Sequence, residues 1–322
     1  MSSIAYITDK NMIEFHRIHG NAVMNFWRPT SSKRFTDFFE GDLLFFLAKG
    51  TEHGINREKG IIGYGRYTEA NMFSFRQMWN RFNTLNGYAS PKEFKEAIMR
   101  VSKAKTLAPQ FHCLTLRDVV FFQSPVYLSE IGISISASVE SYIYLDREDP
   151  RATAKILHQA NKIGIDVWTA TVSSHAPNAL VFDDDLIRQT LRGILSEYSN
   201  GFDTQREHAR ATSILKKYQK IHPEMEYADS RKNELIVFEN DRVNVILPLV
   251  SNKSDMTRKI LYLIGKCTGI LLQQVRLPEN KRRNIHFILL CDTIPPQELI
   301  DLLSQNQISI HLYDKETTDD PT

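Results

Sequence analysis

Residues 25–67 read NFWRPTSSKRFTDFFEGDLLFFLAKGTEHGINREKGIIGYGRY, and their pattern decides the fold of the first half of this chain. Phe26-Trp27-Arg28-Pro29 is an aromatic-basic opening, and the Gly41-Asp42 turn feeds an apolar strand at residues 43–48. A polar loop then leads to a second strand at residues 61–67, which carries Gly63 and Gly65. Two apolar runs separated by a polar, glycine-containing loop predict neighbouring strands. Glycine inside a strand predicts a bulge or a close approach to the backbone.

Working outward, residues 3–7 predict a strand and Asp9 caps a helix with Met12, Ile13 and Phe15 on its apolar face. Helices are predicted at residues 74–82 and 91–101, the second started by Ser90, Pro91 and Glu93. Residues 112–122 form a long strand, and residues 141–145 close the set.

The ordered series Tyr6-Ile7-Thr8-Asp9, Asn25-Phe26-Trp27, Gly41-Asp42, Gly63-Tyr64-Gly65, Ser74-Phe75 to Trp79, Ser90-Pro91-Phe94 and Cys113-Leu114 resembles a known domain. It is similar to the PUA-like domain at the amino terminus of bacterial HNH restriction endonucleases, and more distantly to EVE and ASCH domains. The resemblance covers residues 1–146. It implies a small, partly open β-barrel with helical caps that reads nucleic acid, in several branches by holding a modified base out of the stack. No HNH-type nuclease follows it.

The 322 residues are 42% hydrophobic and 24% charged, ordinary for a globular protein of two or three domains. No basic-then-apolar leader opens the sequence, and no apolar run is long enough to span a bilayer, so a cytoplasmic location is expected. Cys113, Cys267 and Cys291 lie far apart and read as single thiols. Residues 1–117 hold 17 Lys/Arg against 10 Asp/Glu, a balance of +7; residues 118–322 hold 23 against 28, a balance of −5. A basic front half fits a phosphate-facing domain, and equally a solvated Lys-rich helix face.

Residues 147–222 read as a mainly helical connector. Helices at 150–163 and 186–198 bracket a strand at 166–172, and a third helix follows at 205–222. Asp183-Asp184-Asp185 is read as acidic residues at a helix N-terminus, where they complement the dipole, rather than as a metal cluster. His16 and His19 are read as a surface pair, and His175 as loop chemistry.

Residues 223–314 predict an α/β sandwich with a mixed sheet: a hairpin turning at Asn240-Asp241, a helix at 255–274, a strand, a helix and a last strand. Residues 315–322 are a polar tail. That order resembles the PD-(D/E)xK nuclease core of RecB-like and archaeal mismatch endonucleases. Such a core needs an Asp on the first hairpin strand and Glu-x-Lys on the second, to hold a divalent metal and activate water. Here the second strand reads Val245-Ile246-Leu247-Pro248-Leu249. Only Asp229 and Glu234 remain as weak catalytic candidates, and the domain is read as an inactivated core.

The fold class expected is therefore α+β and α/β: a PUA-like barrel with helical insertions, a helical middle and an α/β sandwich. The function expected is nucleic-acid binding, reading modified or distorted DNA in a bacterial restriction or phage-defence setting. A modification-dependent endonuclease with an unrecognised active site, or an RNA-binding PUA-like protein, is the alternative. The expected binding residues are Trp27, Arg28, Lys33, Arg34, Arg57, Lys59, Tyr64 and Arg66. Trp27 is singled out because Arg28 and Pro29 end its strand at the barrel mouth. No metal or cofactor is expected, Mg²⁺ entering only with the endonuclease alternative. The expected partners are DNA, including DNA with a modified base, an effector nuclease or helicase from the same operon, and a second copy of the chain.

Overall fold

The computed structural model describes residues 3–28, 35–102, 106–134, 141–172, 178–197, 204–228, 232–239, 242–250, 255–274, 279 and 282–313. The chain divides into two compact units, Met1–Leu186 and Ile187–Thr322. Its fold is mixed α and β, with one mixed sheet in each unit.

In chain order the first unit comprises β1 (Ile4–Thr8), α1 (Lys10–Ile18), β2 (Met24–Arg28), β3 (Leu43–Ala48), β4 (Ile61–Phe73), α2 (Phe75–Phe82) and α3 (Pro91–Ser102). Then come β5 (Phe111–Val126), β6 (Tyr142–Tyr144), α4 (Ala152–Ile163), α5 (Val167–Val172) and the start of α6 (Asn178–Glu197). The sheet order is β2-β5-β4-β3-β1-β6, with β1 and β3 parallel and the other pairs antiparallel.

Three strands separate β1 from β2 in that order, yet the Tyr6 and Phe26 rings meet at 5.0 Å. The sheet therefore curls until its ends face each other, and side chains fill the interior. Strand β3 shows why all six of its residues are buried. Leu44 and Phe46 point into the curl with Ile4 and Phe26, while Leu43, Phe45 and Leu47 pack outward with Ile156, Leu157 and Ala160 of α4. Alternation along a strand with both faces covered leaves no polar position.

Curling needs bulges, and the register of β4 shifts near Gly63, Gly65 and Tyr67. A Cβ at Gly63 would stand 2.4 Å from the Val120 carbonyl oxygen. The predicted close approach is thus that of the neighbouring strand. Ser74 and Gln77 form the capping box of α2, and Ser90 Oγ accepts from the Glu93 N–H at 3.2 Å at the start of α3.

The second unit runs from the end of α6 through α7 (Gln205–Ile221), β7 (Glu226–Tyr227), β8 (Leu235–Phe238) and β9 (Arg242–Leu249). It continues with α8 (Met256–Gln273), β10 (Asn284–Cys291), α9 (Gln297–Gln305) and β11 (Ile308–Leu312). The order β11-β10-β9-β8-β7 has parallel pairs on one side and antiparallel pairs on the other. Val243, Val245 and Leu247 of β9 pack with Ile260 and Cys267 of α8, and Ile246 packs on the opposite face with Ile214 and Leu215 of α7. This is the α/β sandwich that the sequence predicts.

Four expectations need correction. Residues 166–172 are not a strand: Asp166 Oδ1 accepts from the Thr169 N–H at 2.9 Å and caps α5. The β-branched alternation of that segment misleads, because an Asp cap outweighs a modest strand preference. Asp183-Asp184-Asp185 lies inside α6 rather than at its start. His16 is fully buried, not on the surface. The expected boundary at 146 falls inside the first unit, where Asp146 ties Ser3 N–H (3.0 Å) to the Thr153 hydroxyl (2.7 Å) of α4.

Candidate nucleic-acid interface

Arg28 ends β2 with 1% of its surface exposed. Its guanidinium carbon lies 4.5 Å from the Phe35 ring centre, 5.7 Å from Tyr6 and 6.0 Å from Tyr142, and Nε donates to the Tyr6 hydroxyl at 3.3 Å. Tyr6 and Tyr142 stack at 5.8 Å, and Phe35 meets Tyr142 edge-on at 4.8 Å. These rings are half-buried. The box extends through Tyr144, whose hydroxyl accepts from the Thr36 N–H at 3.0 Å, to Arg147 stacked 3.6 Å over the Tyr144 ring. A guanidinium among electron-rich rings is held by cation–π attraction, and the buried Arg28 in turn fixes the positions of the half-buried rings.

The two phenols are tuned in opposite directions. Burial pushes the Tyr142 hydroxyl up, and the neighbouring Tyr144 hydroxyl adds to this. Burial also opposes ionisation of Tyr144, but hydrogen bonds from Thr36 and Asp37 outweigh it and hold that phenol below its ordinary value.

Trp27 points the other way from Arg28, as alternation requires. Its indole is 5% exposed, packs edge-on against Phe94 at 5.4 Å and donates from Nε1 to the Asn86 carbonyl at 3.2 Å. The indole is core, with no face open to a base. Tyr64 is fully buried and donates to Asp185 Oδ2 at 2.9 Å. Arg66 contacts the other Asp185 oxygen, and also Asp118 Oδ2 (3.3 Å) and the Gly41 carbonyl (3.1 Å). This network shapes β4 from within the fold.

Arg57 and Lys59 belong to the loop between β3 and β4, with Arg57 exposed at φ +48°. The loop closes through paired bonds between His53 and Glu58, and Glu58 accepts from Ser129 N–H at 3.0 Å. Lys33, Arg34 and His175 lie outside the described residues, as do Asp229 and the Asn240-Asp241 turn. Of the expected binding residues that are described, the fold brings Arg28 alone into the aromatic box. Sequence reading missed Tyr6, Phe35, Tyr142, Tyr144 and Arg147 as a group. The alternating Tyr142-Ile143-Tyr144 was the available signal, but only the curl of the sheet brings it to Arg28.

In the second unit, Glu234 is buried and accepts from Lys266 Nζ at 2.7 Å. Among the described residues no group of three or more His, Cys, Asp or Glu could hold a metal ion. No helix among them is long and apolar enough to cross a membrane.

No family model matches the sequence, and no curated protein matches it. Solved structures of an ASCH protein from Zymomonas mobilis are similar to part of the chain. The unmutated form is 12% identical with a TM-score of 0.32, spanning 51% of this chain and 96% of its own. Two mutant forms are each 10% identical, with TM-scores of 0.33 and 0.32, spanning 52% and 51% of this chain and 100% and 97% of their own. A likeness at these scores carries no inference about activity; the mixed α and β fold stands on the chain's own topology.

Proposed function

We propose that the first unit binds nucleic acid at the Arg28 box, and that its particular ligand is modified or distorted DNA in a bacterial restriction or phage-defence setting. The observation that carries this is the buried Arg28 guanidinium ringed by half-buried Tyr6, Phe35 and Tyr142. The half-buried rings, held in place by the buried cation, suit an unstacked base, each stacking contact contributing about 1–3 kcal/mol. The +7 balance of residues 1–117 supports a general phosphate attraction.

The second unit supports no cleavage chemistry in this reading. Glu234 is neutralised by Lys266, and β9 offers neither a carboxylate nor a lysine. The endonuclease alternative therefore needs residues that these strands do not supply.

Fluorescence anisotropy with unmodified duplex, base-modified duplex, duplex with one unpaired base and structured RNA tests the proposal. The expected result is tightest binding to the modified or unpaired site, weakened about tenfold by Tyr142→Leu, which removes one ring from the edge of the box. Equal binding of every duplex by wild type and Tyr142→Leu overturns the box as reader. Preference for RNA transfers the site to the RNA alternative.

A further inference from the structure

Residues 35–42 border the Arg28 box, and their side chains take different directions. Phe35 enters the box, 4.5 Å from the Arg28 guanidinium. Thr36 N–H donates to the Tyr144 hydroxyl at 3.0 Å, and Arg147 donates to Asp37 Oδ2 at 2.6 Å. Phe38 turns inward, meeting Phe35 edge-on at 5.2 Å and stacking on Tyr67 at 4.9 Å. Phe39 turns outward: it is 47% exposed, against 5% for Phe38.

The backbone beneath the Phe39 ring is locked. Phe39 N–H donates to Asp42 Oδ2 at 2.9 Å, and the Phe39 carbonyl accepts from the Asp42 N–H at 3.0 Å. Asp42 is itself fully buried. Gly41, at φ +89°, donates to the Tyr67 carbonyl at 2.8 Å and accepts from Arg66 at 3.1 Å, which fastens the turn to β4. A single exposed apolar side chain is ordinary on a protein surface. Phe39 differs in having a rigid mount that holds its ring in water beside the box. Four residues separate it from Phe35, so their Cα atoms are at most about 14 Å apart.

A box that takes one base out of a duplex leaves a hole in the stack, and the unstacking is a cost that binding must offset. Apolar side chains, Phe among them, lower such costs by entering the stack as wedges. We infer that Phe39 is a wedge of this kind, its ring filling the place vacated by the base held in the Arg28 box. The inference rests on the nucleic-acid reading and narrows its ligand to a base inside a duplex, with a nucleotide facing it. Glu40, also exposed at the tip, repels the phosphates of every duplex alike, so it lowers affinity without changing the difference between targets.

Fluorescence anisotropy of the full chain with two probes tests it. One duplex carries a cytosine–cytosine mismatch; in the other, one of those cytosines is deleted and its partner becomes a one-nucleotide bulge. Both offer an unpaired base, but only the mismatch leaves a hole when that base swings out, because the pairs flanking a bulge close on each other. Phe39→Ala should weaken binding of the mismatch about tenfold and leave the bulge within about twofold of wild type. Phe39→Leu, which keeps an apolar wedge, should recover most of the loss. Tyr142→Leu, which removes a ring of the box, should weaken both probes. The melting temperature of Phe39→Ala should stay that of wild type, since about half of the side chain is already in water. Failure of wild type to bind either probe overturns the nucleic-acid reading and this inference with it. Weakening of both probes alike by Phe39→Ala, or of neither, overturns the wedge while the box stands.

Discussion

Tyr64 and Asp185, 121 residues apart in sequence, are joined by a 2.9 Å hydrogen bond between fully buried side chains. Asp185 also receives Arg66, so one carboxylate of α6 satisfies a phenol and a guanidinium on the same face of β4. Burial pushes the Tyr64 hydroxyl well above its ordinary value, and the Asp185 charge adds to this; Tyr64 stays a neutral donor. Removing the acceptor strands the buried Tyr64 hydroxyl and takes from Arg66 its most buried partner, leaving Asp118 and the Gly41 carbonyl. Asp185→Ala is expected to cost about 3–5 kcal/mol, measured by urea unfolding. Adding Arg66→Met should recover part of that loss; a purely additive double variant would deny the coupling.

His16 supplies a pH dependence. Burial holds its imidazole down at about 3, with His19 contributing. The unfolded chain takes up a proton near pH 6.5 that the folded chain refuses, so this stability is complete above pH 6.5 and is lost as pH falls towards 3. The slope is about 1.4 kcal/mol per pH unit, or about 2 kcal/mol between pH 7 and pH 5. Replacing His16 by Gln should flatten the wild-type slope between pH 5 and 6.5 in parallel urea titrations; an unchanged slope would assign it elsewhere.

Glu234 is expected to matter for stability and not for cleavage. Its pair with Lys266 is buried on both sides, at 4% and 1% side-chain exposure. Glu234→Ala should lower unfolding free energy by about 3–5 kcal/mol, whereas Glu234→Gln combined with Lys266→Met should lose less. Plasmid incubated with wild type and Mg²⁺ should remain intact. Cleavage that disappears in Glu234→Ala at a temperature where that variant is folded would restore the endonuclease reading.

Trp27→Ala should destabilise the first unit by about 3–5 kcal/mol, as for other buried tryptophans cut to alanine. Trp27→Phe should lose much less, and should leave base discrimination as in wild type. A folded Trp27→Phe variant that had lost discrimination would return the indole to the binding site.

What the sequence reveals of this fold is local. The apolar run of β3, the glycines of β4, the Ser90 start of α3 and the β8–β9 hairpin are all written in neighbouring residues. What it conceals depends on partners far along the chain. Arg66 carries the same charge whether it faces phosphate or Asp185, and nothing near residue 66 announces a carboxylate 119 residues later. Trp27 and Arg28 are adjacent, yet alternation sends one into the core beneath α3 and the other into an aromatic box completed by β6. Asp166 shows the converse: its cap on the Thr169 N–H is a short-range feature, and in the fold it outweighs the strand-like alternation of Val167, Thr169 and Thr171.

The closure of the first sheet bears on how this chain emerges from the ribosome. Strand β1 has two neighbours, β3 and β6, and Ile4 is matched to Tyr144 across 140 residues of synthesis. At about 5–20 residues per second, the β1 edge waits on the order of 7–30 s for its second partner. During that time Ala5 and Phe45 also lack their outer cover, since Ile156 and Leu157 of α4 come later still. An open strand edge beside uncovered aromatics invites wrong pairing. Stalled nascent chains ending at residue 140 should therefore be protease-sensitive and held by chaperones, and chains that have exposed residues 1–186 should be resistant; slowing translation should lengthen that vulnerable interval without changing the finished protein.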